Sequence, residues 1–173
     1  MTLGVILMAG ATLLCGCAGS SDRTPAPATS TARQLEAVPA PDPDTPDGVA
    51  VAALREIFTW YPATENQGAS LSRARKWLGP SLLRTLDAPA GAQTPAPTLR
   101  WADWGRDGVK VQAFAFASGE PAPDAGDPNT QQFKIGIEQT AVHPDGTRES
   151  LPPTTVIATV VRTPAGWRLD GFR

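Results

Sequence analysis

The sequence predicts an α+β domain in which N-terminal helices pack on a curved, cone-like antiparallel sheet. Apolar residues recur at helical spacing between Gly48 and Leu86, whereas alternating and β-branched stretches fill the chain from Val109 onward. Pro-Asp-Gly at 144–146 and Pro-Ala-Gly at 164–166 are turns that separate the later stretches. Helices followed by a run of antiparallel strands favour an arrangement with the helices on one face of the sheet.

The composition indicates one folded domain preceded by a tail. The chain has 173 residues, 41% of them hydrophobic, which allows a packed core in a single domain. Its 18 prolines exceed ordinary usage, and many precede Gly48 in a polar stretch with few apolar residues beyond alanine. Such a stretch buries too little apolar surface to fold. We therefore predict a disordered tether over 17–47 and a domain over 48–173.

Charge and cysteine content exclude several kinds of site. The net charge is -2 and the domain alone is close to neutral, which argues against nucleic acid as a partner. The two cysteines, Cys15 and Cys17, both precede the domain, and His143 is the only histidine. We therefore expect no disulfide, no metal site and no cofactor in the domain.

Three helices are predicted before the strands. Asp47 is expected to cap the first, which ends before Pro62, and Ser70 to open the second, which stops at Gly79. Pro80 suits the first position of the third. The inward positions are, in chain order, Ala50, Leu54, Ile57, Phe58 and Tyr61, then Leu71, Ala74, Trp77 and Leu78, then Leu82, Leu83 and Leu86.

The stretch 99–108 is ambiguous between helix and strand, although Trp101 and Trp104 are spaced by about one helical turn. Strands are predicted at 109–117, 132–142, 154–163 and 167–172, the last two joined by a tight hairpin. Asp170 is out of phase with Trp167 and Leu169, so its side chain is expected to face water.

The sequence contains no recognisable catalytic constellation. His143 adjoins the turn at 144–146 and is interpreted as an exposed turn residue. Neither a Ser-His nor a Cys-His pair can be built outside the N-terminal segment. The protein is therefore predicted not to be an enzyme.

Two groups of side chains are candidates for binding. Trp101, Trp104, Phe114 and Phe116 either belong to the core or line a cavity or a partner surface. Phe114 and Phe116 lie on the opposite face of their strand from the apolar residues at 109–117, so both faces are expected to be covered. Arg73, Lys76 and Arg84 form a basic helical face that is either solvated or contacts anionic headgroups or an acidic partner.

Near the N-terminus, Leu14-Cys15-Gly16-Cys17 resembles a bacterial lipobox and follows an apolar run at 3–14. The resemblance implies that 1–16 is a signal peptide, that Cys17 carries diacylglycerol and a fatty acid such as palmitate, and that the protein is lipid-anchored on the extracytoplasmic face of the cell membrane. The alternative is an uncleaved anchor or a buried helix.

The domain resembles the nuclear-transport-factor-like fold, also called cystatin-like. The residues that carry the resemblance are the helical pattern Leu54-Ile57-Phe58, the break Trp77-Leu78-Gly79-Pro80 and the hairpin over 160–169. The fold hosts enzymes, binding domains and parts of secretion systems, so it does not specify a function.

Two functions are therefore expected. The first is a non-catalytic interaction module, with an envelope protein as partner, in a membrane assembly such as one for conjugative transfer, secretion or lipid import. The alternative is a domain that binds a small apolar ligand in the cavity of the cone. An open, apolar-lined cavity of several hundred cubic ångströms would favour the alternative, and a cavity plugged by the tryptophans would favour the first.

Overall fold

The computed structural model describes residues 41–88, 97–123 and 126–173. They belong to a compact unit, Pro39–Arg173. The predicted signal peptide 1–16, Cys17 and the tether as far as residue 40 lie outside the described residues. Within the part that is described, no helix is long and apolar enough to cross a membrane.

The described residues form helices first and strands afterwards. The helices are α1 (Pro46–Phe58), α2 (Ala69–Arg73), α3 (Pro80–Asp87) and α4 (Leu99–Arg106), with a 3₁₀ turn at Ala74–Trp77 between α2 and α3. The strands are β1 (Lys110–Ala117), β2 (Thr130–Val142), β3 (Arg148–Ser150), β4 (Thr154–Thr163) and β5 (Gly166–Phe172). The predicted α+β class is confirmed.

The sheet is antiparallel and curls into a half-barrel, as predicted. Its strand order is β1-β2-β4-β5, and the short β3 pairs with the end of β2. The long β2 is the centre of the sheet, because β1 pairs along one of its edges while β4 and β3 share the other. In this register Ile135 lies between Ala117 on β1 and Val156 on β4.

The core lies between α1 and the concave face of the sheet. Helix α1 packs against β1, β2, β4 and β5. After the exposed Asp47, all residues from Gly48 to Leu54 are apolar and buried. Alternate residues of the strands complete the core: Ala115, Ile135, Ile137, Val156, Ala158, Val160 and Leu169.

Helix α1 begins earlier than predicted. Its cap is Thr45, whose Oγ1 accepts a hydrogen bond from the Gly48 amide at 3.1 Å, whereas Asp47 lies in the first turn. The prediction of Asp47 as the cap was wrong because Pro46 takes the first helical position. The Asp42 carbonyl accepts bonds from Thr45 N and Oγ1, so residues predicted to belong to the tether contribute to the folded unit.

Helix α1 also ends earlier, at Phe58, so Tyr61 lies outside it. The reason is a tertiary contact. Trp60 forms an isolated β-bridge with Val111, with N···O distances of 2.9 and 3.0 Å. Because this pairing requires an extended backbone at Trp60, the helix ends before it. The predicted second helix is in turn divided into α2 and the 3₁₀ turn, and it begins after Gly68, which has φ 94°.

Asp170 does not face water as predicted. Val160 pairs with Leu169 while Thr159 pairs with Gly171, so Asp170 is an extra residue in β5. Its carboxylate accepts hydrogen bonds from Ser81 N and Ser81 Oγ, both at 2.7 Å. Since Gly79, the residue before α3, has no side chain, Asp170 caps α3 from the sheet.

Candidate functional site

The C-terminal end of α1 is the point from which the candidate site is built. Each carbonyl from residue 55 to 58 accepts a hydrogen bond from a side chain, and the Arg55 carbonyl also accepts one from the Thr59 amide at 3.1 Å. The side-chain donors, in that order, are Thr59 Oγ1 at 2.7 Å, Arg73 Nη2 at 2.8 Å, Trp60 Nε1 at 3.1 Å and Gln139 Nε2 at 2.6 Å. These bonds fix Trp60 and Gln139 on one side of the helix end and Arg73 on the other.

One cleft beside this helix end has tryptophan walls, and we call it the tryptophan cleft. Its volume is about 490 Å³, and the rings of Trp60, Trp101 and Trp104 line it. The ring centroids of Trp60 and Trp101 are 6.0 Å apart, and those of Trp60 and Trp104 are 6.4 Å apart. Further apolar lining comes from Ile57, Phe58, Leu151 and Pro152.

Helix α4 positions two of these rings. Thr98 caps it by accepting a bond from Trp101 N at 3.3 Å, and the one-turn spacing places Trp101 and Trp104 on the same face. The two side chains are only 8% and 9% exposed. Trp104 packs on Val109 and Val111 in a second, smaller hydrophobic cluster, and the indoles leave the cleft beside them open.

The polar residues that line the same cleft are Gln67, Ser70, Thr98, Arg100 and Gln139. Gln67 and Gln139 use their side chains to bind the backbone, Gln67 accepting from Thr98 N at 2.9 Å. Ser70 is 7% exposed, and no hydrogen bond of its hydroxyl is found within the described residues. The cleft therefore combines apolar walls with a small number of polar groups, as ligand sites do.

The four aromatic residues singled out in the sequence do not form one surface. Trp101 and Trp104 line the tryptophan cleft, whereas Phe114 and Phe116 lie on the convex face of the sheet. The two phenylalanine rings are stacked with centroids 5.7 Å apart, and Phe114 is 45% exposed. Phe116 covers Gly136, its partner on β2, where a Cβ atom would come within 2.5 Å of the ring.

The three basic residues singled out in the sequence do not form one surface either. Arg73 and Lys76 line a second cleft of about 510 Å³, which we call the charged cleft, whereas Arg84 lies on α3 and donates to Ser81 Oγ at 3.2 Å. Arg55 of α1 and Lys110 of β1 also line the charged cleft. Sequence reasoning missed both, because only the packing of α1 on the edge of β1 brings them close to Arg73.

The remaining titratable candidate, His143, is in the turn between β2 and β3, as predicted, although it is half-buried. Its amide donates to Thr147 O at 2.9 Å. In the same turn the hydrogen bond from Thr147 N holds the pKa of Asp145 below its ordinary value. In 41–88, 97–123 and 126–173, no three His, Cys, Asp or Glu side chains are grouped so that they could hold a metal ion.

What the fold and the clefts define is a small α+β domain with an aromatic cleft and a separate charged cleft at the end of its first helix. No protein-family model, curated protein or solved structure matches this chain. The assignment of function therefore rests on the geometry of these clefts.

Proposed function

We propose that this chain is a non-catalytic, lipid-anchored protein of the cell envelope whose domain binds a small, mainly apolar ligand in the tryptophan cleft. The observation that supports this proposal is a cleft of about 490 Å³ walled by three indole rings. Small-molecule sites in proteins have volumes of about 300–1,000 Å³ and largely apolar walls with a few polar groups.

The state of the cleft favours ligand binding over a purely structural role for the tryptophans. The indoles pack against the core and against one another, yet they do not fill the space beside them. A flat apolar body could lie against the rings, and a hydroxyl or carbonyl of the ligand could bond to Ser70. Ring contact of this kind contributes about 0.5–1.5 kcal/mol per aromatic pair beyond the buried area.

The second candidate is the interaction module expected from the sequence, with an envelope protein as partner. The observation in its favour is the stacked Phe114–Phe116 pair on the convex face, since exposed aromatic rings are typical of interfaces. Under this function, Phe114→Ser should abolish crosslinking to a partner in intact membranes without changing ligand binding. Unchanged crosslinks would exclude the phenylalanine pair as the contact surface.

Ligand binding can be tested with the neutral fluorescent probe N-phenyl-1-naphthylamine and the chain beginning at Ala18. Because the tryptophans line the cleft, we expect saturable probe binding with energy transfer from indole to probe. Leu151→Asp, which places a charge in the apolar wall, should weaken binding at least about tenfold, since placing a charge in apolar surroundings is costly.

The matched control is Leu99→Asp, because Leu99 lies on α4 but is 86% exposed and outside the cleft. It should bind the probe as the wild type does. Cooperative unfolding is checked for both variants, and Pro152→Asp at the exposed rim serves as a second cleft variant. Equal binding by all four proteins would contradict the proposed site.

Membrane attachment is tested separately, because Cys17 lies outside the described residues. Cys17→Ser is expected to abolish metabolic labelling with a fatty acid and to release the protein from membranes, since two or more acyl chains are needed for stable anchoring. Cys15→Ser is the control and should remain labelled. Labelling that depends on Cys15 instead would overturn the assignment of Cys17.

A further inference from the structure

The charged cleft is open to solvent and is lined by three elements that carry cations. Arg55 comes from α1, Arg73 and Lys76 from the α2 region, and Lys110 from the start of β1. Two aromatic side chains, Tyr61 and Trp77, also line the cleft, and Glu56 is the one carboxylate among its lining residues. The charged cleft and the tryptophan cleft share no lining residue.

Two of the four cations are neutralised within the domain. Arg73 forms an ion pair with Glu65 and also donates to the backbone at the end of α1. Lys76 lies 3.6 Å from Glu56, whose carboxylate also accepts a bond from Trp77 Nε1 at 2.8 Å. The carboxylates of Glu65 and Glu56 are therefore already paired with Arg73 and Lys76.

Arg55 and Lys110 form no ion pair within the described residues. Lys110 Nζ is 5.0 Å from the centroid of the Tyr61 ring, and Arg73 Cζ is 4.9 Å from the same centroid. Two cations thus converge on one ring while a single carboxylate neutralises one of them. Arg55 and Lys110 therefore keep an unneutralised positive charge at the cleft, and an anion bound there would be stabilised by both.

We infer that the charged cleft binds a small organic anion in which a phosphate group is attached to an apolar or aromatic part. Arg55 and Lys110 neutralise the phosphate, while Tyr61 and Trp77 contact the attached part. The volume of about 510 Å³ exceeds what an inorganic ion needs and suits a molecule of this kind. The inference does not rest on the proposed function, because it concerns different residues.

The experiment uses phenyl phosphate as probe and the chain beginning at Ala18, which keeps the whole compact unit Pro39–Arg173. Calorimetric titration should give saturable binding that weakens as salt rises from about 50 to about 500 mM. The double variant Arg55→Gln/Lys110→Gln should bind at least about tenfold more weakly. Neither side chain makes a hydrogen bond within the described residues, so we expect the variant to fold.

The matched control is Arg84→Gln/Lys134→Gln, which also removes one arginine and one lysine charge but outside the cleft. Its dissociation constant for phenyl phosphate should stay within about twofold of the wild-type value. Leu151→Asp should likewise leave phenyl phosphate binding unchanged, because Leu151 lines only the tryptophan cleft. A loss of probe binding in the tryptophan cleft can therefore be told apart from a loss of phosphate binding in the charged cleft. An equal loss in the control pair would overturn the inference, because it would show attraction by net charge alone.

A second arm distinguishes a soluble phosphate from a lipid headgroup. The same proteins are sedimented with phosphatidylcholine vesicles that contain or lack phosphatidic acid. Phenyl phosphate binding supports a soluble ligand. A lipid headgroup with the same chemistry is supported if the protein sediments only with vesicles that contain phosphatidic acid. This sedimentation should be lost in Arg55→Gln/Lys110→Gln and kept in the control pair. Absence of both kinds of binding would overturn the inference.

Discussion

Replacing Trp104 by alanine is expected to lower the free energy of unfolding by about 3–5 kcal/mol, as for other buried aromatic residues. The ring is 9% exposed and packs on Val109 and Val111, and it also contacts Trp60 and is covered by Arg100 at 4.5 Å. Its removal would enlarge the tryptophan cleft and take away the packing on Val109 and Val111. Denaturant unfolding of the wild type and the variant, with the m-values compared, measures this loss.

Trp167→Ala is the matched comparison. Trp167 is half-buried at the start of β5, where Arg162 lies 5.5 Å from its ring across the strand pair. We expect this variant to lose about 1–2 kcal/mol, since less apolar surface is buried and side chains that pair across strands contribute modestly. A larger loss for Trp167→Ala than for Trp104→Ala would contradict the packing described for α4.

Arg73→Met should lower the free energy of unfolding by about 2–4 kcal/mol, somewhat less than a fully buried pair, because the Arg73 side chain is still 26% exposed. The substitution leaves Glu65 without its cation, and Glu65 Oε2 already has no hydrogen-bond partner. It also removes donors from the Glu56 and Thr59 carbonyls at the end of α1.

Two further variants make this expectation specific. Arg84→Met removes a charge from an exposed helix position and should change stability by less than about 0.5 kcal/mol. Adding Glu65→Leu to Arg73→Met should restore part of the loss, since the unpaired carboxylate is then gone. Thermal unfolding measures the stability of the single variants and the double variant. Wild-type stability of Arg73→Met would refute the role assigned to the Arg73–Glu65 ion pair.

Much of the fold could be predicted because its signals are local. The strands at 109–117 and 154–163 follow period-two and β-branched patterns, and each coincides with an observed strand to within one residue. The hairpin at 164–166 depends on Gly166, which has φ 97°. Pro80 is the first residue of α3, as predicted.

The features that could not be predicted are set by tertiary contacts. The sequence gives no local sign that Trp60 would pair with Val111 and end α1, or that Asp170 would cap α3 from a distant strand. Strand β3 was missed because all three of its residues are exposed and show no apolar alternation. Alternation did place Phe114 and Phe116 on the convex face, but it could not tell that Trp101 and Trp104 would lie elsewhere.

Nuclear Overhauser contacts between bound N-phenyl-1-naphthylamine and the protein would locate the ligand proposed for the tryptophan cleft. We expect contacts from probe protons to the rings of Trp60, Trp101 and Trp104 and to the Leu151 methyl groups, all of which line the cleft. Contacts to Phe114 and Phe116 on the convex face, with none to the three indoles, would contradict this placement of the ligand.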